Sequence, residues 1–288
     1  MENKKVRFDQ LKPYFFDKTD AEEYLYDLGH LLRLLSANPH QTSIRRVFGD
    51  IHLFHICKYD EVQQVWEIQV LRLREKILPG IADTDGAYDL IQLEDGKYPA
   101  ESTTILYDER SHILFFQRNH YGVSIRAMEL YLQELSPENT LILLKPIKRG
   151  NRISRVKPSC TFRRILLIAD TQGIQQEDAS IGATLYSTLK SFRKFQGAIV
   201  KLELGFGHKN GFLRSDAANE LLHEAYDFNG IQKLQVRLSD AEDTTFETID
   251  LLDDRAGYDF ELDYTRENPI THIRLYYQCM EEFKKEFR

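Results

Sequence analysis

"RRVFGDIHLFHICKY", residues 45–59, decides how the chain is read. Val, Ile and Phe interleave with polar residues here, the two-residue period of a strand with one face buried. Three further runs follow: "VWEIQVLRLRE" at 65–75, "YDLIQLEDG" at 88–96 and "HILFFQRN" at 112–119. Gly, Asp and Pro bound them, so residues 45–119 are expected to form an antiparallel meander.

On the N-terminal side, "KKVRFDQL" (4–11) alternates as a first strand. "TDAEEYLYDLGHLLRLLS" (19–36) then sets Ala21, Tyr24, Leu25, Leu28, Leu31, Leu32 and Leu35 at helical spacing. Thr19 with Glu22 fits a capping box, and Pro39 follows the end of the run. Beyond the meander, "SIRAMELYLQEL" reads as a helix with Ile125, Met128, Leu132 and Leu135 on one face, and "NTLILLKPI" as a strand.

The second half alternates strand and helix. "FRRILLIAD", "AIVKLEL" and "IQKLQVRL" are strand-like, and helices are expected near 178–195 and 215–227. "TFETIDLL" and "YDFELDY" could add an antiparallel pair. Asn268 as cap, Pro269 at the first helical position, and Ile273, Tyr276, Met280, Phe283 and Phe287 predict a long terminal helix. The expected class is therefore α+β: an antiparallel meander with flanking helices, then a smaller α/β layered sheet and the long helix. The expected divisions are 1–144, a basic ribbon or linker at 145–164, and 165–288.

At 288 residues, with 42% hydrophobic and 29% charged side chains, the composition is that of a folded globular protein. No apolar run reaches membrane-spanning length and no leader pattern opens the chain, so a cytoplasmic, unanchored protein is expected. Cys57, Cys160 and Cys279 form no CxxC pair and read as reduced thiols. His52 and His55 in "IHLFHIC" fall on opposite faces of a strand, which argues against a metal site.

The charge is uneven. Residues 1–144 hold 16 basic and 23 acidic side chains, residues 145–164 hold 8 and 0, and residues 165–288 hold 14 and 22. The basic stretch, "KPIKRGNRISRVKPSCTFRR", contains Lys145, Lys148, Arg149, Arg152, Arg155, Lys157, Arg163 and Arg164. Gly150-Asn151 is a two-residue hairpin signal, so a cationic β-ribbon is expected, kept at a sheet edge by Pro146. A ribbon of that kind fits a DNA groove and gains affinity by releasing counterions from phosphate. The alternatives are a solvated linker, a ribbon neutralised by the chain's own acidic segment or a second copy, and an acidic protein partner.

Three weaker motifs each have a plainer reading. Gly205, Gly207 and Gly211 lie between a strand and a helix with Asp240 beyond, as in a dinucleotide loop, but the spacing is GxGxxxG and a surface loop is preferred. Asp89, Asp95 and Lys97 imitate the metal-nuclease spacing, yet Asp95-Gly96 is a turn signal. "ETIDLLDDRAGYDFELD" (247–263) is dense in carboxylates without the register of a calcium loop, and a solvated acidic face is the simpler reading. No GxSxG, HExxH or GxxxxGK[ST] occurs, which lowers the case for an enzyme. No catalytic residue, metal or cofactor is assigned.

The run from Trp66 through "PGIADTDG", "LEDGKY", "LYDE" and "QRNHYGVS", with "ETIDLLDDR", resembles a bacterial family of unassigned function similar to proteins of phage-defence and mobile islands. The resemblance covers most of the chain and carries over no site. It implies a bacterial source and a part in immunity, often beside a partner protein. The leading expectation is a nucleic-acid-binding, sensing or targeting component of an anti-phage system, with DNA expected over RNA. A non-catalytic interaction protein, homodimeric or bound to an acidic partner through the ribbon, is the alternative. A motif-poor metal-dependent nuclease using Asp250, Asp253 and Asp254 is the third.

Overall fold

The computed structural model describes residues 2–17, 22–37, 39–75, 80–136, 140–170, 183–193, 199–206, 211–228, 230–239 and 246–288. In chain order the first elements are β1 (Glu2–Asp17), β2 (Glu22–Leu25), α1 (Leu28–Ser36), α2 (Pro39–Thr42), β3 (Arg45–Val47), β4 (Asp50–Asp60), β5 (Val65–Leu73), β6 (Gly80–Ala82) and β7 (Tyr88–Leu90). Then come β8 (Ala100–Asp108), β9 (Ile113–Gln117), α3 (Ile125–Leu135) and β10 (Ile142–Pro146). The remainder is β11 (Thr161–Asp170), α4 (Ala183–Arg193), β12 (Ile199–Gly205), α5 (Ser215–Asp227), β13 (Ile231–Ser239), β14 (Glu247–Asp250), β15 (Gly257–Tyr264) and α6 (His272–Phe287).

Two compact units result, and they do not divide at residue 145 or 165. Unit 1 is Met1–Pro146 with Gly257–Arg288, and unit 2 is Ile147–Ala256. The reason lies in one strand position. β10 pairs with Leu11–Phe15 of β1 and β15 pairs with Glu2–Asp9, so Pro146 stands opposite Leu11 and Gly257 opposite Asp9. Together β10 and β15 fill one side of β1, and unit 2 is inserted where they meet. "YDFELDY" accordingly pairs with the first strand of the chain, while "ETID" pairs with β13 of unit 2 and not with "YDFELDY".

The meander is present: unit 1 carries an antiparallel sheet in the order β10-β1-β9-β8-β5-β4-β3, with β2 and β15 also on β1. The stretch 45–59 is itself a hairpin. Phe48 (φ 52°) and Gly49 (φ 87°) both take left-handed conformations, the requirement of a tight two-residue turn between Val47 and Asp50. "YDLIQLEDG" leaves the meander, because among the described residues β7 pairs only with β6 and Glu94–Lys97 forms a turn.

Both faces of the unit 1 sheet are covered. Leu28, Leu31, Leu32 and Leu35 of α1 and Met128, Tyr131, Leu132 and Leu135 of α3 pack with Phe54, Trp66, Ile68, Leu114 and Phe116. On the opposite side Phe115 meets Phe283 of α6, ring centroids 5.5 Å apart, and stacks on Tyr258 at 5.3 Å. That is why "ILFFQ" is buried throughout instead of alternating. Helix starts follow local chemistry. Asp27 accepts from the Gly29 amide (3.0 Å), so α1 begins at Leu28, later than the 19–36 pattern suggests, and Glu22–Leu25 joins the sheet instead. Thr19 lies outside the described residues. In α6 the cap is Thr271, because Asn268 is held in a turn with Thr265.

Unit 2 is a four-stranded antiparallel sheet in the order β12-β11-β13-β14. Phe162, Ile165, Leu167 and Ala169 of β11 share a core with Leu185 and Leu189 of α4 and with Leu221, Leu222, Ala225 and Tyr226 of α5. Both helices lie on one face of that sheet.

Candidate nucleic-acid interface

The ribbon expected around Gly150-Asn151 does not form. After β10 the chain makes one bridge, Lys148 with Arg255, then a 3-10 turn over Arg152–Arg155. The acidic segment that precedes β15 determines this. The Arg149 amide donates to the Asp254 carbonyl (2.9 Å) and the Arg152 amide to Asp254 Oδ2 (3.0 Å). A Cβ on Gly150 would stand 2.9 Å from that of Asp254, so only glycine lets the backbone lie this close. Asp254 also accepts from the Tyr226 hydroxyl (2.5 Å), and burial, reinforced by this carboxylate, raises the Tyr226 pKa.

The side chains follow the backbone. Lys148 Nζ lies 2.7 Å from Asp227 and 3.6 Å from the Tyr226 ring centroid, Arg152 is 3.0 Å from Asp253, and Arg155 pairs with Glu247. In unit 1, Lys145 pairs with Glu23. Arg149 and Lys157 are exposed. Each exposed pair contributes at most about 1 kcal/mol, but together they cancel much of the segment's field. Of the eight basic residues, Arg163 and Arg164 are placed differently, on β11.

A β-bulge falls at those two residues. Phe162 registers with Leu238 and Arg164 with Arg237, leaving Arg163 as the extra residue. Alternation puts Phe162, Ile165 and Leu167 toward the helices, so Arg164, Leu166 and Ile168 occupy the other face. By the same register that face receives Lys201 and Glu203 from β12 and Lys233, Gln235 and Arg237 from β13. Arg164 Nε lies 2.9 Å from Glu203, whereas Lys201, Lys233 and Arg237 make no ion pair among the described residues.

Three aromatic rings gather at the arginine end. Leu213 bridges Phe162, its amide donating to the Phe162 carbonyl at 2.8 Å, which pins the chain before α5 beside β11. Phe212 there stacks on Phe246, centroids 5.9 Å apart and planes 13° from parallel. The Arg163 guanidinium lies 5.7 Å from the Phe246 centroid. Phe206, just beyond β12, lies against Gly211, where a Cβ would collide with its ring. Phe206 is 41% exposed and Phe212 56%.

The three rings and Arg237 were not singled out by sequence reasoning. Arg237 and Phe246 stand far from Phe206 and Phe212 in the chain, and the β11–β13 register and the Leu213 bridge bring them together. The nearest signal was the glycine-rich stretch, which holds two of the three rings. Its dinucleotide reading fails because β12 and β13, the strands before and after α5, are separated by the antiparallel β11, whereas that fold pairs the two strands of the crossover directly in a parallel sheet. Gly207 and Asp240 lie outside the described residues.

The remaining candidates have structural roles. Asp250 accepts from the Leu252 amide and from Gln235, Asp253 pairs with Arg152, and Asp254 braces the 149–152 turn. Among the described residues no three His, Cys, Asp or Glu side chains are grouped to hold a metal ion. Asp95-Gly96 is a turn, with Gly96 at φ 79°, and Asp89 and Lys97 are exposed. His52 is buried with Nδ1 3.2 Å from the Asp50 carbonyl, while His55 is exposed. All three cysteines are free and buried, and burial pushes the Cys57 thiol up to about 12. No described helix is long and apolar enough to cross a membrane.

Charge divides with the units. Unit 1 has 22 Lys or Arg against 30 Asp or Glu (net −8), and unit 2 has 16 against 15 (net +1). The molecule is thus an α+β protein in which an acidic sheet unit is interrupted by a near-neutral one. The chain belongs to the family of unknown function DUF6731, whose model matches residues 1–288. Searches of curated proteins and of solved structures gave no match.

Proposed function

We propose that unit 2 binds single-stranded nucleic acid where Arg163, Arg164 and Arg237 meet Phe206, Phe212 and Phe246. The observation that carries this reading is the stack of the exposed Phe212 on the half-buried Phe246, with a guanidinium beside it and two register-paired arginines on the adjoining sheet. Bases stack on such rings for about 1–3 kcal/mol each, without regard to sequence, and arginines hold the phosphates between them. Lys201 and Lys233 continue the cationic track along the same face. Unit 1, at net −8, repels the polyanion and leaves unit 2 as the surface it meets.

The biological setting we attach to this reading is recognition of foreign nucleic acid in bacterial defence. It rests on the resemblance around residues 66–124 and 247–255. Phage plating on cells expressing wild type and the Phe212→Ala variant tests it.

The binding itself is tested by fluorescence polarisation with labelled oligothymidine and oligouridine, competed by duplex DNA. Single strands bind wild type, duplex competes poorly, and Phe212→Ala weakens binding. Equal affinity of wild type and Phe212→Ala, or preference for duplex, overturns the reading.

A further inference from the structure

Residues 80–98 of unit 1 form an excursion whose apolar side chains have no core to enter. Ile81, Tyr88 and Leu90 are 61%, 68% and 63% exposed, and Leu93 and Tyr98 are each 39% exposed. A two-stranded hairpin this short is marginal in water. This one is held by its own turn: Asp83 Oδ1 accepts from the amides of Asp85 (3.0 Å) and Ala87 (2.9 Å), the Asp83 amide donates to the Ala87 carbonyl (3.0 Å), and Gly86 supplies φ 88°. Tyr88 lies across Gly80, which has no side chain to displace it. The hairpin is preorganised around an apolar surface that the fold does not use.

Its charge indicates the partner. Asp83, Asp85, Asp89, Glu94 and Asp95 against Lys97 give the stretch net −4. Phosphate would be repelled, and a second copy would bring a chain of net −7 toward it. We propose that residues 80–98 are a docking arm for a protein whose contact surface is apolar and ringed by lysine or arginine. Ile81, Tyr88 and Leu90 enter the apolar part, and the carboxylates meet the cationic rim, giving orientation and faster encounter. The arm is independent of the nucleic-acid surface of unit 2.

The probe is a synthetic strand peptide of alternating leucine and lysine, with leucine–glutamate and serine–lysine versions as controls, measured by calorimetry on the full chain. The leucine–lysine peptide binds wild type, and the controls do not. Affinity falls at least about tenfold in Ile81→Ser/Tyr88→Ser/Leu90→Ser and in Asp85→Lys/Asp89→Lys, with melting temperatures unchanged. No binding to wild type, equal binding by the variants, or equal binding of the serine–lysine peptide overturns the proposal. So does a drop in melting temperature in the triple variant, which would mean that the arm packs on the body. Wild-type dimers in sedimentation that the triple variant dissolves would make a second copy the occupant and overturn it as well.

Discussion

The two sheets of this protein treat their faces differently. In unit 1 helices cover both sides, and the central strand β9 is buried along its whole length. In unit 2 both helices lie on one side, and the other side of the strands carries Arg164, Lys201, Lys233 and Arg237. A sheet closed on both faces has stability as its business. The face that carries those cations, beside the partly exposed rings, is the one we propose meets a ligand.

The basic stretch is itself divided. Lys145, Lys148, Arg152, Arg155 and Arg164 meet carboxylates of their own chain, while Arg163 lies over a ring and Arg237, in register with Arg164, makes no ion pair among the described residues. Charge density along the sequence therefore locates cations without saying which are already matched.

The comparison breaks most visibly in the core of unit 1. Phe115 is fully buried between Tyr258 and Phe283, so Phe115→Ala should cost about 3–5 kcal/mol in chemical denaturation while leaving oligonucleotide affinity of the folded fraction unchanged. Phe212→Ala should do the reverse. Its ring is mostly solvent-facing, so thermal unfolding moves little, and loss of one stacking platform lowers affinity by about 1–3 kcal/mol, roughly five- to 150-fold.

Acid should act on unit 1. His52 and His272 are buried, and desolvation holds both imidazoles below their usual 6.5, outweighing for His272 the opposing pull of Glu67 at 3.0 Å. The fold favours the neutral rings. Their contribution is complete above pH 6.5 and is lost as pH falls from there through the lowered folded values, by at most about 1.4 kcal/mol per pH unit for each. Urea midpoints between pH 7.5 and 5 should decline, and His272→Gln should flatten the decline. The smallest effect belongs to Arg155→Ala: its pair with Glu247 is half exposed, so less than about 1 kcal/mol of stability and no more than a twofold change in oligonucleotide affinity are expected from melting and titration.

Much of the fold was legible because patterning is local. The meander, the helix at 125–135 and the terminal helix follow from periodicity, whereas the caps fall elsewhere than the sequence suggests: Asp27 opens α1 and Thr271, not Asn268, opens α6. What escaped was long-range. Nothing in "YDFELDY" says that it pairs with residues 2–9 and not with its neighbour "ETID", so the insertion of unit 2 was invisible. The Gly150-Asn151 signal was overruled by Asp254, more than a hundred residues away, which holds the local amides in another turn. Two arginines of the candidate surface were found through charge. The third, and the rings, depended on strand register.

The central claim is that Arg163, Arg164 and Arg237 at the β11–β13 bulge, and not Lys148, Arg152 and Arg155 before them, meet phosphate. A salt titration of oligothymidine binding tests it directly. Each lost phosphate contact on a single strand removes about 0.7 from the slope of log K against log salt, so Arg163→Ala/Arg164→Ala/Arg237→Ala should reduce its magnitude by about 2. Lys148→Ala/Arg152→Ala/Arg155→Ala should leave it unchanged. The opposite assignment of the two slopes, or a wild-type affinity indifferent to salt, would contradict the account.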